Sequence, residues 1–102
     1  MNSKLSAYFG FATKSRNLVS GYNTVLDGIA RKKVKLVVVA KDVSENSKKK
    51  LETACREAKV KYLEFSTIEE LSKICGQNNK GIFGINDNNF SEAIVKEIEN
   101  LD

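Results

Sequence analysis

Residues Leu36 to Ala40 read Leu-Val-Val-Val-Ala, an unbroken apolar run between Lys35 and Lys41. A strand with one face in water alternates apolar and polar side chains. A β-branched run without alternation belongs to a strand covered on both faces. In a chain of 102 residues that cover has to come from helices packed on each side of a sheet. The run is far short of the roughly 20 apolar residues that cross a bilayer. The length predicts one domain over residues 1–102. A domain of this size buries roughly two-thirds of its unfolded surface and needs no disulfide or metal to fold.

The periodicity around that run supplies the helices. Leu5, Tyr8, Phe9 and Ala12 recur at helical spacing and predict a helix over Ser3 to Lys14. Phe11 lies off that stripe and is free for a second contact. Leu18 to Gly21 reads as a brief strand. Tyr22 to Lys32 is helical, with Tyr22, Val25 or Leu26, and Ile29 in register and a start at Ser20 or Gly21. Ser44 caps a helix running to Lys59 on the stripe Leu51, Ala54, Cys55 and Ala58. In Lys48-Lys49-Lys50, consecutive residues turn by about 100° each, so one lysine must flank the stripe and cover apolar surface with its methylenes. Val60 to Phe65 alternates Val60, Tyr62 and Glu64 against Lys61, Leu63 and Phe65. Thr67-Ile68-Glu69-Glu70 is a capping box. Its helix ends near Cys75, with Gly76 just beyond. Gln77 to Lys80 is a polar loop and Gly81 to Ile85 a short strand. Asp87 or Asn88 caps a last helix with Phe90, Ala93, Ile94 and Ile98 inward. Helices and strands alternate throughout, which defines an α/β class with helices on both faces of a parallel or mixed sheet.

Composition removes several chemistries. There is no histidine, so imidazole is absent as general base, metal ligand or triad member. Cys55 and Cys75 stand twenty positions apart on helical stripes, a spacing that fits buried, reduced thiols in a cytosolic protein and no metal or redox motif. Met1 to Tyr8 lacks the apolar core of a secretory signal. Gly81-Ile-Phe-Gly84 is not a dinucleotide-binding fingerprint. The carboxylates occupy solvent-type helix positions, and no two are marked as a converging pair. No catalysis, cofactor, metal or small-molecule substrate is expected.

Charge points elsewhere. The net charge is +4, but residues 1–50 carry eleven basic and three acidic side chains, and residues 51–102 carry six and ten. A basic region of this kind attracts phosphates. Lys14, Arg16, Arg31, Lys32, Lys33 and Lys35 fall in one segment with a single acid, Asp27. Between its basic ends lies Ser20-Gly21-Tyr22-Asn23-Thr24. Gly21 permits close backbone approach, Tyr22 offers an aromatic face, and Asn23 offers an amide donor and acceptor beside a helix N-terminus. An amide that reads bases, flanked by cations that hold phosphates, is the logic of nucleic-acid recognition, and RNA loops and bulges expose the base edges it needs. The same residues also fit a plain turn at Gly21 and a cap at Asn23.

The stretches Ala12 to Gly21, Tyr22 to Ile29 and Val34 to Val43 resemble the ribosomal protein L-seven-Ae / L-thirty-e superfamily. Asp42 to Leu51 and Gly84-Ile-Asn-Asp-Asn-Asn-Phe90 are most similar to its short bacterial YlxQ-like branch. The resemblance implies a three-layer α/β/α sandwich on a mixed four-stranded sheet. It also implies binding to structured RNA, typically a kink-turn: a bulge beside tandem sheared G·A pairs. The family's signature Gly-x-Asn-Glu-x-x-Lys stands here as Gly21-Tyr22-Asn23-Thr24-Val25-Leu26-Asp27. By that match Gly21 lets the RNA backbone close in, Asn23 reads a guanine, and Arg31 meets phosphate. Gln77-Asn78-Asn79-Lys80 corresponds to the loop that packs on the bulged nucleotides. Thr24 replaces a base-contacting Glu and Asp27 a phosphate-contacting Lys. These readings imply a cytoplasmic, monomeric, ribosome-associated protein in which Lys14, Arg16, Arg31, Lys32 and Lys33 position phosphates. Ser20, Gly21, Tyr22, Asn23 and Thr24 then approach the bases. The alternative is a protein-interaction module on the same fold that has lost specific kink-turn binding.

Overall fold

The computed structural model describes residues 3–101. Five helices and four strands alternate: α1 (Ser3–Lys14), β1 (Leu18–Ser20), α2 (Tyr22–Ala30), β2 (Leu36–Val39), α3 (Glu45–Ala58), β3 (Lys61–Glu64), α4 (Ile68–Ile74), β4 (Ile82–Ile85) and α5 (Asn88–Glu99). The strand order is β1-β4-β2-β3. β4 runs antiparallel to both β1 and β2, and β2 and β3 are parallel, so the sheet is mixed. All four residues of β2 are buried, as the Leu36 run requires of an inner strand covered on both faces.

Alternate residues of β2 feed two cores. Leu36 and Val38 join Leu5, Phe9, Ala12, Leu71, Phe83, Ile85 and Ile94 under α1, α4 and α5. Val37 and Val39 join Val25, Ile29, Val34, Leu51 and Cys55 under α2 and α3. The alternation read in β3 separates the same two layers: Val60 and Tyr62 pack on the α2/α3 side, Leu63 and Phe65 on the other. Glu64 lies on the Tyr62 side and accepts a hydrogen bond from the Tyr62 hydroxyl at 3.0 Å.

Local expectations met the structure unevenly. The Ser44 hydroxyl caps α3 by accepting from the Ser47 N–H, and Asp87 caps α5 by accepting from the Phe90 N–H at 2.8 Å. Thr67 accepts from the Glu70 N–H at 3.1 Å, but among the described residues the Glu70 side chain makes no return bond to the Thr67 N–H. Asp42 Oδ1 accepts from the next N–H, that of Ile68, at 2.9 Å, and ties the β2–α3 loop to α4. Ala58 is exposed rather than on the α3 stripe, because it is the last helical residue and the chain turns away at Lys59. Lys48 takes the vacant place one turn before Leu51. It is 8% exposed, with Nζ 3.2 Å from Glu45 and 3.3 Å from Glu64. In α5 Ile94 is buried, and Phe90 and Ile98, half-buried, face inward against the same core, with Ala93 also half-buried.

Candidate nucleic-acid interface

Chain direction decides which predicted residues meet. Ser20 lies opposite Phe83, and Val39 opposite Ile82, so the C-terminal ends of β1 and β2 and the start of β4 share one end of the sheet. There the Gly21 N–H donates to the Ile82 carbonyl at 2.9 Å, and the Ala40 N–H to the Gly81 carbonyl at 2.8 Å. The Gln77–Lys80 loop is thereby brought beside Gly21. Its seat is Ser72, which is buried, donates from its hydroxyl to the Lys80 carbonyl at 2.7 Å and accepts from the Lys80 N–H at 2.8 Å. Asn78, Asn79 and Lys80 are exposed and Gln77 is half-buried. Asn79 adopts a left-handed backbone at φ 53. Sequence reasoning missed Ser72 and Asp42 as loop anchors, since a serine inside a helix and an aspartate after a strand carry no periodic signal.

Gly21 occupies the N-cap of α2 at φ 98 and ψ 151, a region open in practice only to glycine. A side chain there would meet nothing within 4 Å, so the space above it is open. α2 has no side-chain cap, whereas α3, α4 and α5 each have one. The N–H groups of its first turn point outward, where partial positive charge gathers. Asn23 is exposed and lies inside the helix rather than capping it; among the described residues its amide makes no hydrogen bond. Thr24 is exposed beside it, Ser20 is half-buried in β1, and Tyr22 is half-buried against the α2/α3 core.

The remaining predicted cations lie elsewhere. Leu18 and Leu36 both pair with Ile85, so the residues entering β1 and β2 gather at the opposite end of the sheet. The Asn86 N–H donates to Asn17 and the Lys35 N–H to Ile85, each at 2.7 Å, and close that end. Lys14, Arg16, Lys32 and Lys33 are exposed there, and the nine residues of α2 span about 13 Å between Gly21 and the turn that holds Lys32 and Lys33. The outer face of α2 joins the two ends through Thr24, Asp27 and Arg31, spaced three and four apart.

The chain matches the model of the ribosomal protein L7Ae/L30e/S12e/Gadd45 family over residues 3–95. It belongs to that family. The RNA-binding protein YlxQ of Enterococcus faecium is 33% identical over 90 residues, 88% of this chain and 86% of the relative. The RNA-binding protein YlxQ of Bacillus subtilis is 27% identical over 90 residues, 88% of this chain and 90% of the relative. A solved structure from Bacillus halodurans, described as a protein with unknown function, superposes with a TM-score of 0.93 at 23% identity. It covers 97% of this chain and 100% of its own, and shares the fold.

Within this family member, the two departures from the signature are both on the surface of α2. Thr24 leaves an exposed hydroxyl where the family carries a carboxylate. Asp27 pairs with Arg31 at 2.9 Å and neutralises that cation. Cys55 and Cys75 are buried and free, and burial pushes their thiols up to about 11 and about 12, so neither is a nucleophile near neutral pH. Among the described residues no three Cys, Asp or Glu side chains converge to hold a metal. No described helix is long and apolar enough to cross a membrane.

Proposed function

We propose that this protein is a non-catalytic, cytoplasmic RNA-binding protein that acts as a monomer on structured, kink-turn-like RNA, with ribosomal RNA as its setting. One observation carries the reading: the exposed amide of Asn23, unbonded among the described residues, stands at the uncapped start of α2, beside the Gln77–Lys80 loop. Two relatives covering most of the chain are RNA-binding proteins by name. Donors fixed on a rigid helix end suit the edge of a sheared purine, and an exposed polar loop suits bulged nucleotides. Gly21 leaves room for a sugar-phosphate backbone. Lys14, Arg16, Lys32 and Lys33 add attraction at longer range, and Arg31 adds it along α2.

The test is a titration of the protein against a kink-turn RNA and against the same RNA with both G·A pairs replaced, at two salt concentrations. Preference for the intact kink-turn is expected at both. Equal binding to the two RNAs, fading steeply with salt, would overturn kink-turn recognition and favour a protein-interaction module on a basic scaffold.

A further inference from the structure

Three helices end in the same way at one end of the molecule. After α1, the Asn17 N–H returns to the Ala12 carbonyl at 2.8 Å and the Arg16 N–H to Thr13 at 3.1 Å. After α2, Lys33 returns to Gly28 at 2.9 Å and Lys32 to Ile29 at 3.0 Å. After α3, Val60 returns to Cys55 at 2.8 Å and Lys59 to Arg56 at 3.3 Å. Each is a Schellman closure, and its left-handed position normally falls to glycine. Here it falls to Arg16, Lys32 and Lys59, at φ 62, 62 and 60. α4, which closes at the other end, uses Gly76 at φ 67. A cation at that position completes the helix dipole, but a left-handed side chain is a strained choice made three times.

The three cations share the end of the sheet at which β1, β2 and β3 begin. Lys32 and Lys59 line one groove of about 800 Å³ there, with Glu57 its single carboxylate. Arg16 stands at the end of α1, two residues past Lys14. Among the described residues, Lys14, Arg16, Lys32 and Lys59 form no ion pair. The chain has no acid before Asp27, so every charged side chain of α1 and its closing turn is a cation. One turn back from Lys14 lies Phe11. It is 54% exposed and is one of two large apolar side chains so exposed among the described residues. Its carbonyl accepts from both the Ser15 N–H and the Ser15 hydroxyl, at 3.0 and 2.8 Å, which fixes the turn below it.

We propose that this end of the sheet is a second RNA contact, taking a single-stranded segment whose phosphates lie across Arg16, Lys32 and Lys59 and one of whose bases stacks on Phe11. Unpaired cations at one end of the sheet, with an exposed aromatic ring one turn back along α1, are what a flexible polynucleotide requires, since every base has a face to stack. A duplex buries those faces. This contact does not rest on kink-turn recognition at Gly21. With both ends occupied, the protein holds two RNA segments about a helix length apart.

The experiment measures fluorescence anisotropy of a labelled oligouridylate of about twelve nucleotides, which contains no G·A pair. The proteins are the wild type, Phe11→Ala, Asn23→Ala and the triple variant Arg16→Gly/Lys32→Gly/Lys59→Gly. Phe11→Ala is expected to weaken binding by roughly fivefold or more. The triple variant is expected to reduce the salt slope by about 2, at about 0.7 per phosphate on a single strand. Because glycine suits all three left-handed positions, its Tm should hold or rise, so lost binding is not lost folding. Asn23→Ala should bind as the wild type. Three results overturn the proposal: no binding of oligouridylate at low salt; equal binding by the wild type, Phe11→Ala and the triple variant; or loss centred on Asn23→Ala. Displacement by polyglutamate as readily as by unlabelled oligouridylate, indifferent to Phe11, also overturns it, in favour of an acidic protein partner.

Discussion

Arg31 and Asp27 form an ion pair at 2.9 Å on the outer face of α2, with both side chains more than half exposed. The Arg31 Nε–H also donates to Asp27 Oδ1 at 3.0 Å. By the resemblance a lysine belongs at the Asp27 position, so in place of two free cations this face of α2 carries one self-satisfied pair. Asp27→Lys should release Arg31 and add a second cation. The salt slope for kink-turn RNA should steepen by about two units, and Asp27→Asn, which only releases Arg31, by about one. Stability should change little, since an exposed helix pair contributes only about 0.3–0.5 kcal/mol. An unchanged slope in both variants would mean that this face of α2 does not meet RNA.

Asn23 gives the sharper test of base reading. Asn23→Ala removes an exposed amide that has no partner among the described residues, so Tm should be close to that of the wild type. Binding to the intact kink-turn should weaken by about 1–3 kcal/mol, and binding to the G·A-replaced control should be unaffected. The measurement is a paired titration of both RNAs. Equal loss on both would reassign Asn23 to a general backbone contact.

The architecture was readable because the Leu36 run and the helical stripes are local patterns with one physical solution each. The two-sided burial of β2, the Ser44 cap and the segregation of Val60 and Tyr62 from Leu63 and Phe65 all follow from spacing alone. What spacing does not hold is chain direction around the sheet. Lys14, Arg16, Lys32 and Lys33 flank Gly21 in sequence, yet β1 and α2 run out and back and carry them to the far end. That one of Lys48, Lys49 and Lys50 flanks the stripe follows from helical spacing, but not that Lys48 is the one. Its partner Glu64 is sixteen residues away, and only the pairing of β2 with β3 brings it near. Ser72 escaped notice for the same reason: its acceptor and donor on Lys80 become neighbours only when the loop folds back.

Gly28 and Gly21 should fail differently. A Cβ on Gly28 would stand 2.6 Å from Val34 Cγ2, between α2 and the residue leading into β2. Gly28→Ala should therefore destabilise by about 1–3 kcal/mol through overpacking, and trimming the neighbour with Val34→Ala should recover part of that loss. Gly21→Ala meets no atom, but its φ of 98 and ψ of 151 should impose about 1–3 kcal/mol of backbone strain that no second substitution relieves. Thermal unfolding of the two single variants and the Gly28→Ala/Val34→Ala pair separates these causes. Recovery of Gly21→Ala by Val34→Ala would contradict both.

Alkaline pH should unfold this protein through its buried thiols. Burial raises Cys55 from the ordinary 9.0 to about 11 and Cys75 to about 12. Burial, with the Glu64 carboxylate beside it, also drives Tyr62 upward. In the unfolded chain each thiol loses its proton near pH 9, while in the folded chain it keeps it. The folded state then binds more protons than the unfolded one, so stability falls as pH rises. The thiol contribution is complete below pH 9 and is lost progressively up to about 11 for Cys55 and about 12 for Cys75. Within its window each thiol should weaken the folding equilibrium by up to about tenfold per pH unit. Denaturant midpoints from pH 7 to 11 should hold level and then drop, and the drop should be shallower in Cys75→Ala. At pH 8, a thiol reagent should label neither cysteine in the native protein and both after denaturation. Rapid native labelling would show that the layers over Cys55 and Cys75 open without global unfolding.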